Sequence, residues 1–102
     1  MYYIGFDLGS SSVKAALIEA STGKSIGVTQ YPETEMAIVA EKTGWAEQDP
    51  NLWWKNIGMV TKKLLSQTTI NANQIKGIGI AYQMHGMVVV DKNQEALRSS
   101  II

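Results

Sequence analysis

Short apolar runs alternate with turn residues in the first third of the chain. Tyr2 to Leu8 is apolar on both faces, which predicts a strand covered from two sides. Gly9 to Ser12 has the composition of a turn, and Val13 to Ile18 and Ser25 to Tyr31 predict two further strands. Three short strands joined by tight turns predict an antiparallel meander.

A helix is predicted after a long polar stretch. Glu33 to Gln48 indicates a loop with some edge strand, in which Trp45 is expected to anchor the loop to the core. Asp49-Pro50 has the form of a helix N-cap followed by a first-turn proline. The apolar stripe of this helix consists of Trp53, Ile57, Val60 and Leu64, and the helix is expected to end near Gln67. Core packing is expected for both Trp53 and its neighbour Trp54.

The last third of the chain predicts more strands. Ile75 to Tyr82 is one, and its glycines indicate close backbone approach. Met87 to Val90 is another, with Leu97 to Ile102 as its hairpin partner. The order β-β-β-α-β predicts an α/β fold with a mixed sheet, in which a right-handed helical crossover returns a strand beside the first one. The apolar end at Ile101-Ile102 favours a piece of a longer protein.

Composition limits the classes of function. The chain has 102 residues, 45% of them hydrophobic, with nine basic and nine acidic side chains, as expected for one domain or part of one. Balanced charge argues against the basic surface that nucleic-acid binding needs. Without cysteine and with one histidine, any catalytic metal would be held by oxygen atoms. No signal peptide or membrane span is recognisable, so a cytoplasmic protein without a membrane partner is expected.

The most specific local pattern is an acid at a strand end, a hydroxyl-rich glycine turn and a lysine in the returning strand. These are Asp7, the turn Gly9-Ser10-Ser11-Ser12, and Lys14. Such a turn presents several N–H groups and hydroxyls to one point, which suits a phosphate, while Lys14 adds a positive charge and Asp7 suits Mg²⁺. The same residues are equally compatible with a plain solvated hairpin.

A second polar group follows the predicted strand at Ile75 to Tyr82. The segment Gln83-Met84-His85-Gly86 would lie at the same sheet edge as Asp7, where ligands of open α/β sheets collect. Gln83 and His85 can hydrogen-bond a hydroxylated substrate, although a connecting loop with a structural histidine fits as well. The two common nucleotide motifs, G-x-x-x-x-G-K-[ST] and G-x-G-x-x-G after a strand, are absent.

Three segments of the chain occur together in one order and spacing. They are Phe6-Asp7-Leu8-Gly9-Ser10-Ser11-Ser12-Val13-Lys14, Gly44-Trp45-Ala46-Glu47-Gln48-Asp49-Pro50 and Gly77-Ile78-Gly79-Ile80-Ala81-Tyr82-Gln83-Met84-His85-Gly86-Met87. Together they resemble the beginning of the FGGY family of carbohydrate kinases and, within it, the members that phosphorylate xylulose. The resemblance covers essentially the whole chain. It implies a ribonuclease H-like lobe of the actin, hexokinase and Hsp70 type, present only in part. Residues 1–102 would be the N-terminal portion of the first, sugar-binding domain, with the second lobe absent.

The resemblance also implies a reaction and a set of roles. ATP and Mg²⁺ would serve to phosphorylate D-xylulose to xylulose 5-phosphate. Asp7 would lie near the metal, while Gly9, Ser10, Ser11, Ser12 and Lys14 would bind phosphate. Met84 and His85, with Gln83 beside them, would contact the sugar. The catalytic base is expected beyond Ile102, so the chain alone is expected to be inactive. With its exposed apolar surface it is also expected to self-associate or to form a homodimer.

Alternative functions stay open on the sequence alone. One is another FGGY kinase, of the gluconate, ribulose or glycerol type, because specificity depends on groups across the cleft. Another is a non-catalytic nucleotide-binding module of the actin or Hsp70 type. A third is a small standalone binding domain.

Overall fold

A four-stranded mixed sheet carries the fold in a computed structural model that describes residues 1–102. The elements in chain order are strands β1 (Tyr2–Leu8), β2 (Val13–Glu19), β3 (Ser25–Tyr31) and β4 (Glu47–Gln48), helix α1 (Pro50–Ser66), a short 3₁₀ turn (Ala72–Gln74), and strands β5 (Ile75–Tyr82) and β6 (Ser100–Ile101). The main sheet has the order β3-β2-β1-β5. This order confirms the predicted β-β-β-α-β arrangement, with the short strand β4 added before the helix.

Strand pairing places the fifth strand beside the first. β1 pairs with β2 and β2 with β3 in antiparallel fashion, as the predicted meander requires. β5 is parallel to β1, with Gly5 opposite Gly79 and Leu8 opposite Tyr82. Because parallel neighbours end on the same side of a sheet, the residues that follow β1 and β5 emerge at one edge.

Helix α1 forms as predicted from its capping residues. The Asp49 side chain accepts a hydrogen bond from the Asn51 N–H at 2.9 Å, Pro50 occupies the first turn, and Gln67 caps the C-terminus. The helix packs over β2 and β3. The resulting core contains Ile4, Phe6, Val13, Ala15, Leu17, Val60 and Leu64. No helix combines the length and the apolarity that crossing a membrane takes.

The β1–β5 half of the sheet is left open on the helix side. An apolar groove of about 910 Å³ lies there between α1 and β5, with Ile4, Trp54, Ile57, Ile78 and Ile80 among its lining residues. Trp54 is 76% exposed, so its predicted place in the core is wrong. The expected two-sided cover of β1 is also wrong within this chain, because Tyr3 on the opposite face is 44% exposed.

A second pair of strands links the middle of the chain to its end. β4 pairs with β6, Glu47 facing Ile101 and Gln48 facing Ser100. The predicted strand at Met87 to Val90 is wrong, because only isolated bridges form there, from Met87 to Ile101 and from Val90 to Ala96. The backbone of Ser100 and Ile101 pairs with β4, and Ile101 also bridges Met87. The predicted hairpin is therefore present only as isolated bridges and not as two regular strands.

Candidate functional site

Two loops meet at one edge of the main sheet. The β1–β2 turn is Gly9–Ser12, and the β5 loop is Gln83–Gly86. The N–H of Gln83 donates to the carbonyl oxygen of Leu8 at 2.9 Å, directly beside the β1–β2 turn. The structure therefore brings together the two segments that the sequence singled out.

The three serine carbonyls of the β1–β2 turn each accept a hydrogen bond from within the protein. The Ser10 oxygen accepts from the Gln48 side-chain amide at 2.5 Å and the Ser11 oxygen from the Met36 N–H at 2.8 Å. The Ser12 oxygen accepts from the Gly9 N–H at 3.1 Å. Every serine acceptor of the turn's backbone is thus already occupied.

The donors of the same turn are free. The N–H groups of Ser10, Ser11 and Ser12 form no hydrogen bond to another protein group, and neither do their hydroxyls. A peptide unit is planar and trans, so its N–H and C=O point in opposite directions. Holding the Ser10 and Ser11 carbonyls inward therefore turns the N–H groups of Ser11 and Ser12 outward. A turn with occupied acceptors and free donors is suited to an anion.

Asp7 and Lys14 stand opposite each other on β1 and β2. Both are exposed, and they lie on the face away from α1, because their neighbours Phe6, Val13 and Ala15 point into the core. No ion pair joins Asp7 to Lys14, since the two salt bridges of the structure are Lys63–Glu33 and Arg98–Glu47. The carboxylate and the ammonium group are both available to a ligand.

A polar cavity of about 330 Å³ adjoins the β1–β2 turn and is lined by no hydrophobic residue. Ser11, Ser12 and Lys14 line one part of it, and Glu33 and Glu35 line another. Glu33 pairs with Lys63 at 3.3 Å, which offsets part of the negative charge. The volume of the polar cavity lies at the lower end of the range for small-molecule sites.

The β5 loop exposes its two most distinctive side chains. Met84 is 79% exposed, and His85 has a φ of 65°, in the left-handed region that few residues other than glycine adopt. Gln83 instead lines a small cavity of about 210 Å³ together with Trp53 and Tyr82. The structure therefore places Gln83 in a cavity, and Met84 and His85 at the surface beside it.

The segment before α1 is tied to the end of the chain. Glu47 is buried and forms an ion pair with Arg98, and the Ser100 hydroxyl donates to the Met87 carbonyl at 2.8 Å. Trp45 does not reach the core as expected: it is 44% exposed, and the Lys42 ammonium lies 4.8 Å from its ring centre. These contacts connect the segment before α1 to the residue that follows the β5 loop.

Sequence reasoning missed the residues that support the β1–β2 turn. Gln48 and Met36 lie in a stretch predicted to be a polar loop, yet both are buried and both donate to the turn. No local sequence signal marks either residue, because their contacts with the turn join positions 38 and 25 residues apart in sequence. No cluster of three or more histidine, cysteine or acidic residues suited to a metal occurs.

Comparison with known proteins identifies the family. A family model described as the N-terminal domain of the FGGY family of carbohydrate kinases matches residues 2–102. The chain is 36% identical to a xylulose kinase of Bacillus subtilis over 99% of its own length and 19% of that protein. It is 34% identical to an L-xylulose/3-keto-L-gulonate kinase of Escherichia coli, again over 99% of this chain and 20% of the relative. The chain thus spans about a fifth of these curated relatives.

Solved structures agree with this match. A crystal structure described as a xyloylose kinase from Brucella ovis superposes over 100% of this chain and 21% of its own, with a TM-score of 0.89 and 33% identity. A gluconate kinase from Lactobacillus acidophilus covers 98% of this chain and 19% of its own, with a TM-score of 0.82 and 26% identity. The architecture is therefore part of an actin- and hexokinase-like lobe. The chain belongs to the FGGY family of carbohydrate kinases, in which it matches the N-terminal domain.

Proposed function

We propose that this chain is the N-terminal part of an ATP-dependent kinase that phosphorylates D-xylulose to xylulose 5-phosphate. Residues 1–102 would form the opening portion of the first, sugar-binding domain, and a second lobe would complete the enzyme. Family membership and xylulose kinases among the relatives support this reading over a chaperone, filament or standalone binding module. The observation that carries it is the β1–β2 turn, whose serine carbonyls are all occupied while its donors are free.

Phosphate groups of ATP are the proposed ligand of the β1–β2 turn. The amides of Ser10, Ser11 and Ser12 and their hydroxyls would donate to phosphate oxygens, and Gly9 permits the tight turn. Lys14 would add a positive charge from the adjacent strand. In phosphoryl transfer a protein mainly positions the reacting groups and stabilises negative charge on the phosphates. This set of groups would do both.

Asp7 is the residue of this chain that fits Mg²⁺. It is an exposed carboxylate with no protein partner, and a magnesium ion in a kinase commonly takes one or two carboxylates together with water and phosphate oxygens. When bound, the ion would neutralise charge on the transferred phosphate. Asp7 would hold the ion through its carboxylate, while Lys14, on the opposite strand, would contact the phosphates.

The sugar is proposed to bind at the β5 loop. Gln83 and His85 would hydrogen-bond its hydroxyls, and Met84 would contact its carbon skeleton. The Gln83–Leu8 bond keeps this loop beside the β1–β2 turn, so sugar and phosphate would approach each other at one sheet edge. A general base that accepts the proton of the attacking hydroxyl is assigned to the remainder of the parent protein.

The identity of the sugar is the most specific part of this proposal. Relatives and neighbours carry the names of xylulose, L-xylulose/3-keto-L-gulonate and gluconate kinases. A gluconate or other sugar or polyol kinase is therefore the second candidate. The parent protein is proposed to act in the cytoplasm on ATP and a small sugar, without a nucleic-acid or membrane partner.

The experiment is an assay of sugar-dependent ADP release by the longer protein that contains this segment. D-xylulose, L-xylulose, gluconate, ribulose and glycerol are compared, and D-xylulose is expected to give the highest kcat/KM. Asp7→Asn should lower kcat on the order of 100-fold, whereas Asp91→Asn in a distant turn should not. A higher kcat/KM for another sugar would overturn the substrate assignment. ADP release by the 102-residue chain alone, dependent on D-xylulose and Asp7, would contradict the placement of the base elsewhere.

A further inference from the structure

Gln48 joins the β1–β2 turn to the start of helix α1. The residue is 1% exposed, although its side chain is polar, and it lies 38 residues from Ser10 in sequence. We infer that Gln48 is a positioning residue, which fixes the direction of the Ser11 N–H in the phosphate site. This inference rests on the function proposed above and adds to it a residue that contacts neither phosphate nor sugar.

Both ends of the Gln48 amide are engaged. Its Nε2 donates to the Ser10 carbonyl at 2.5 Å, and its Oε1 accepts from the Trp53 indole N–H at 2.9 Å. Trp53 can only donate and a carbonyl can only accept. The reversed amide would put two oxygens together and two N–H groups together, so the partners fix the orientation of the side chain.

The backbone of Gln48 is held as firmly as its side chain. It pairs with Ser100 in the β4–β6 ladder, and the next residue, Asp49, caps α1. A side chain anchored to a strand pair on one side and to a helix on the other has few alternative rotamers. Gln48 is therefore a rigidly held donor to the Ser10 carbonyl of the turn.

The geometry of the peptide unit transmits this rigidity to the ligand side. The Ser10 carbonyl and the Ser11 N–H belong to one planar trans peptide and point in opposite directions. Because Gln48 holds the carbonyl inward, the Ser11 N–H stays directed outward. Met36 does the same for the next unit with its backbone N–H, which every substitution except proline leaves in place. Gln48 is thus the support that a change of side chain removes directly.

The test compares side-chain variants in this 102-residue chain. Gln48→Leu removes both hydrogen bonds, and Trp53→Phe removes only the donor that orients the amide. Glu47→Gln is the matched control, since it perturbs the same buried strand without touching the turn. Trp54→Phe, at an exposed neighbouring position, is the control for Trp53. Urea unfolding of every variant reports how much stability each change removes.

Two readouts separate positioning from general destabilisation. The ¹⁵N order parameter of the Ser11 amide should fall from about 0.85 to below about 0.6 in Gln48→Leu, to an intermediate value in Trp53→Phe, and not at all in the controls. The dissociation constant for magnesium tripolyphosphate should rise about tenfold in Gln48→Leu. Loosening of the turn in the Glu47 control to the same degree would overturn the inference.

The outcomes also distinguish this inference from the proposed function. Should the unaltered chain fail to bind tripolyphosphate while Gln48→Leu still loosens Ser11, the phosphate site is wrong and the support of the turn stands as structure only. Binding in the unaltered chain that Gln48→Leu leaves unchanged overturns the positioning role alone. If Gln48→Leu does not fold, Trp53→Phe decides, and a fully ordered Ser11 amide in that variant contradicts the inference.

Discussion

The N–H of Gln83 donates to the carbonyl oxygen of Leu8 at 2.9 Å. Leu8 ends β1 directly before the β1–β2 turn, and Gln83 begins the β5 loop, so one backbone bond joins the two candidate ligand segments. The bond continues the parallel pairing of β1 and β5 by one residue. Any movement that separated the two loops would have to break this end of the sheet.

Lys14 is predicted to contribute charge to phosphate binding. Lys14→Met should raise the dissociation constant of the 102-residue chain for magnesium tripolyphosphate about tenfold, because a charge-assisted contact is lost. The effect should shrink as salt is added, since the site is exposed. Calorimetric titration measures it, and Lys24→Met in the turn after β2 changes net charge equally away from the site. Equal weakening by both variants would show that only net charge matters.

Gly9 is predicted to be required by the tight β1–β2 turn. A Cβ at position 9 would lie 3.2 Å from the Ser12 carbonyl oxygen, so Gly9→Ala must push the turn open by a few tenths of an ångström. Unfolding free energy should fall by about 1 kcal/mol, and tripolyphosphate affinity should fall with it. Gly5→Ala is the control, because a Cβ there meets nothing within 4 Å. A Gly9→Ala chain with undiminished affinity would contradict the account of the turn.

Leu64 and Gly27 are predicted to be coupled in the core. A Cβ at Gly27 would lie 3.3 Å from Leu64 Cδ1, so Gly27→Ala should destabilise the fold by about 1 kcal/mol. Leu64 is fully buried, and Leu64→Ala should cost about 2–5 kcal/mol. The double variant should lose less stability than the two single losses added, because the new methyl group enters the space that Leu64 leaves. Strict additivity in urea unfolding would show that the two residues do not share space.

Self-association is predicted at the free edge of β5. Ile78 and Ile80 are 67% and 62% exposed beside the unpaired backbone of this strand, and an apolar edge strand readily pairs with a second copy. The double variant Ile78→Lys/Ile80→Lys should shift the chain towards monomer in sedimentation velocity. Val28→Lys tests the opposite face, where Val28 is 66% exposed. If Val28→Lys alone abolished association, the contact surface would be the other face.

Sequence patterns predicted the regular elements well because their residues satisfy local rules. β1, β3, β5 and α1 have the predicted extents, since apolar alternation, turn residues and the Asp49 cap all act within a few positions. Trp54 was misplaced because the part of the sheet that it faces has no covering layer in this chain. Met87 to Val90 does not form the predicted strand, because its contacts with the end of the chain are isolated bridges at Met87 and Val90. The pairing of Ser100 and Ile101 with β4 joins residues more than fifty positions apart, which a local pattern does not encode.

The candidate site was predicted only in part. The positions of Asp7 and the two loops follow from strand order, because adjacent parallel strands end at one edge. The position of Lys14 opposite Asp7 follows from the antiparallel pairing of β1 and β2. The supports contributed by Gln48 and Met36 depend on contacts across more than twenty residues of a stretch that lacks a regular pattern. The exposure of the Met84 and His85 side chains likewise depends on the path of the chain after the β5 loop. Neither the long-range contacts nor this exposure can be predicted from local sequence, because both are set by the complete fold.

The central claim is that the β1–β2 turn presents its free donors to phosphate. Its most direct test is a titration of the ¹⁵N-labelled 102-residue chain with magnesium tripolyphosphate, followed through the backbone amide resonances. The account predicts the largest shifts at Ser10, Ser11 and Ser12, and small ones at Gly9, whose N–H is already bonded to the Ser12 carbonyl. Saturable shifts confined to lysines elsewhere on the surface, or no shifts at all, would contradict it.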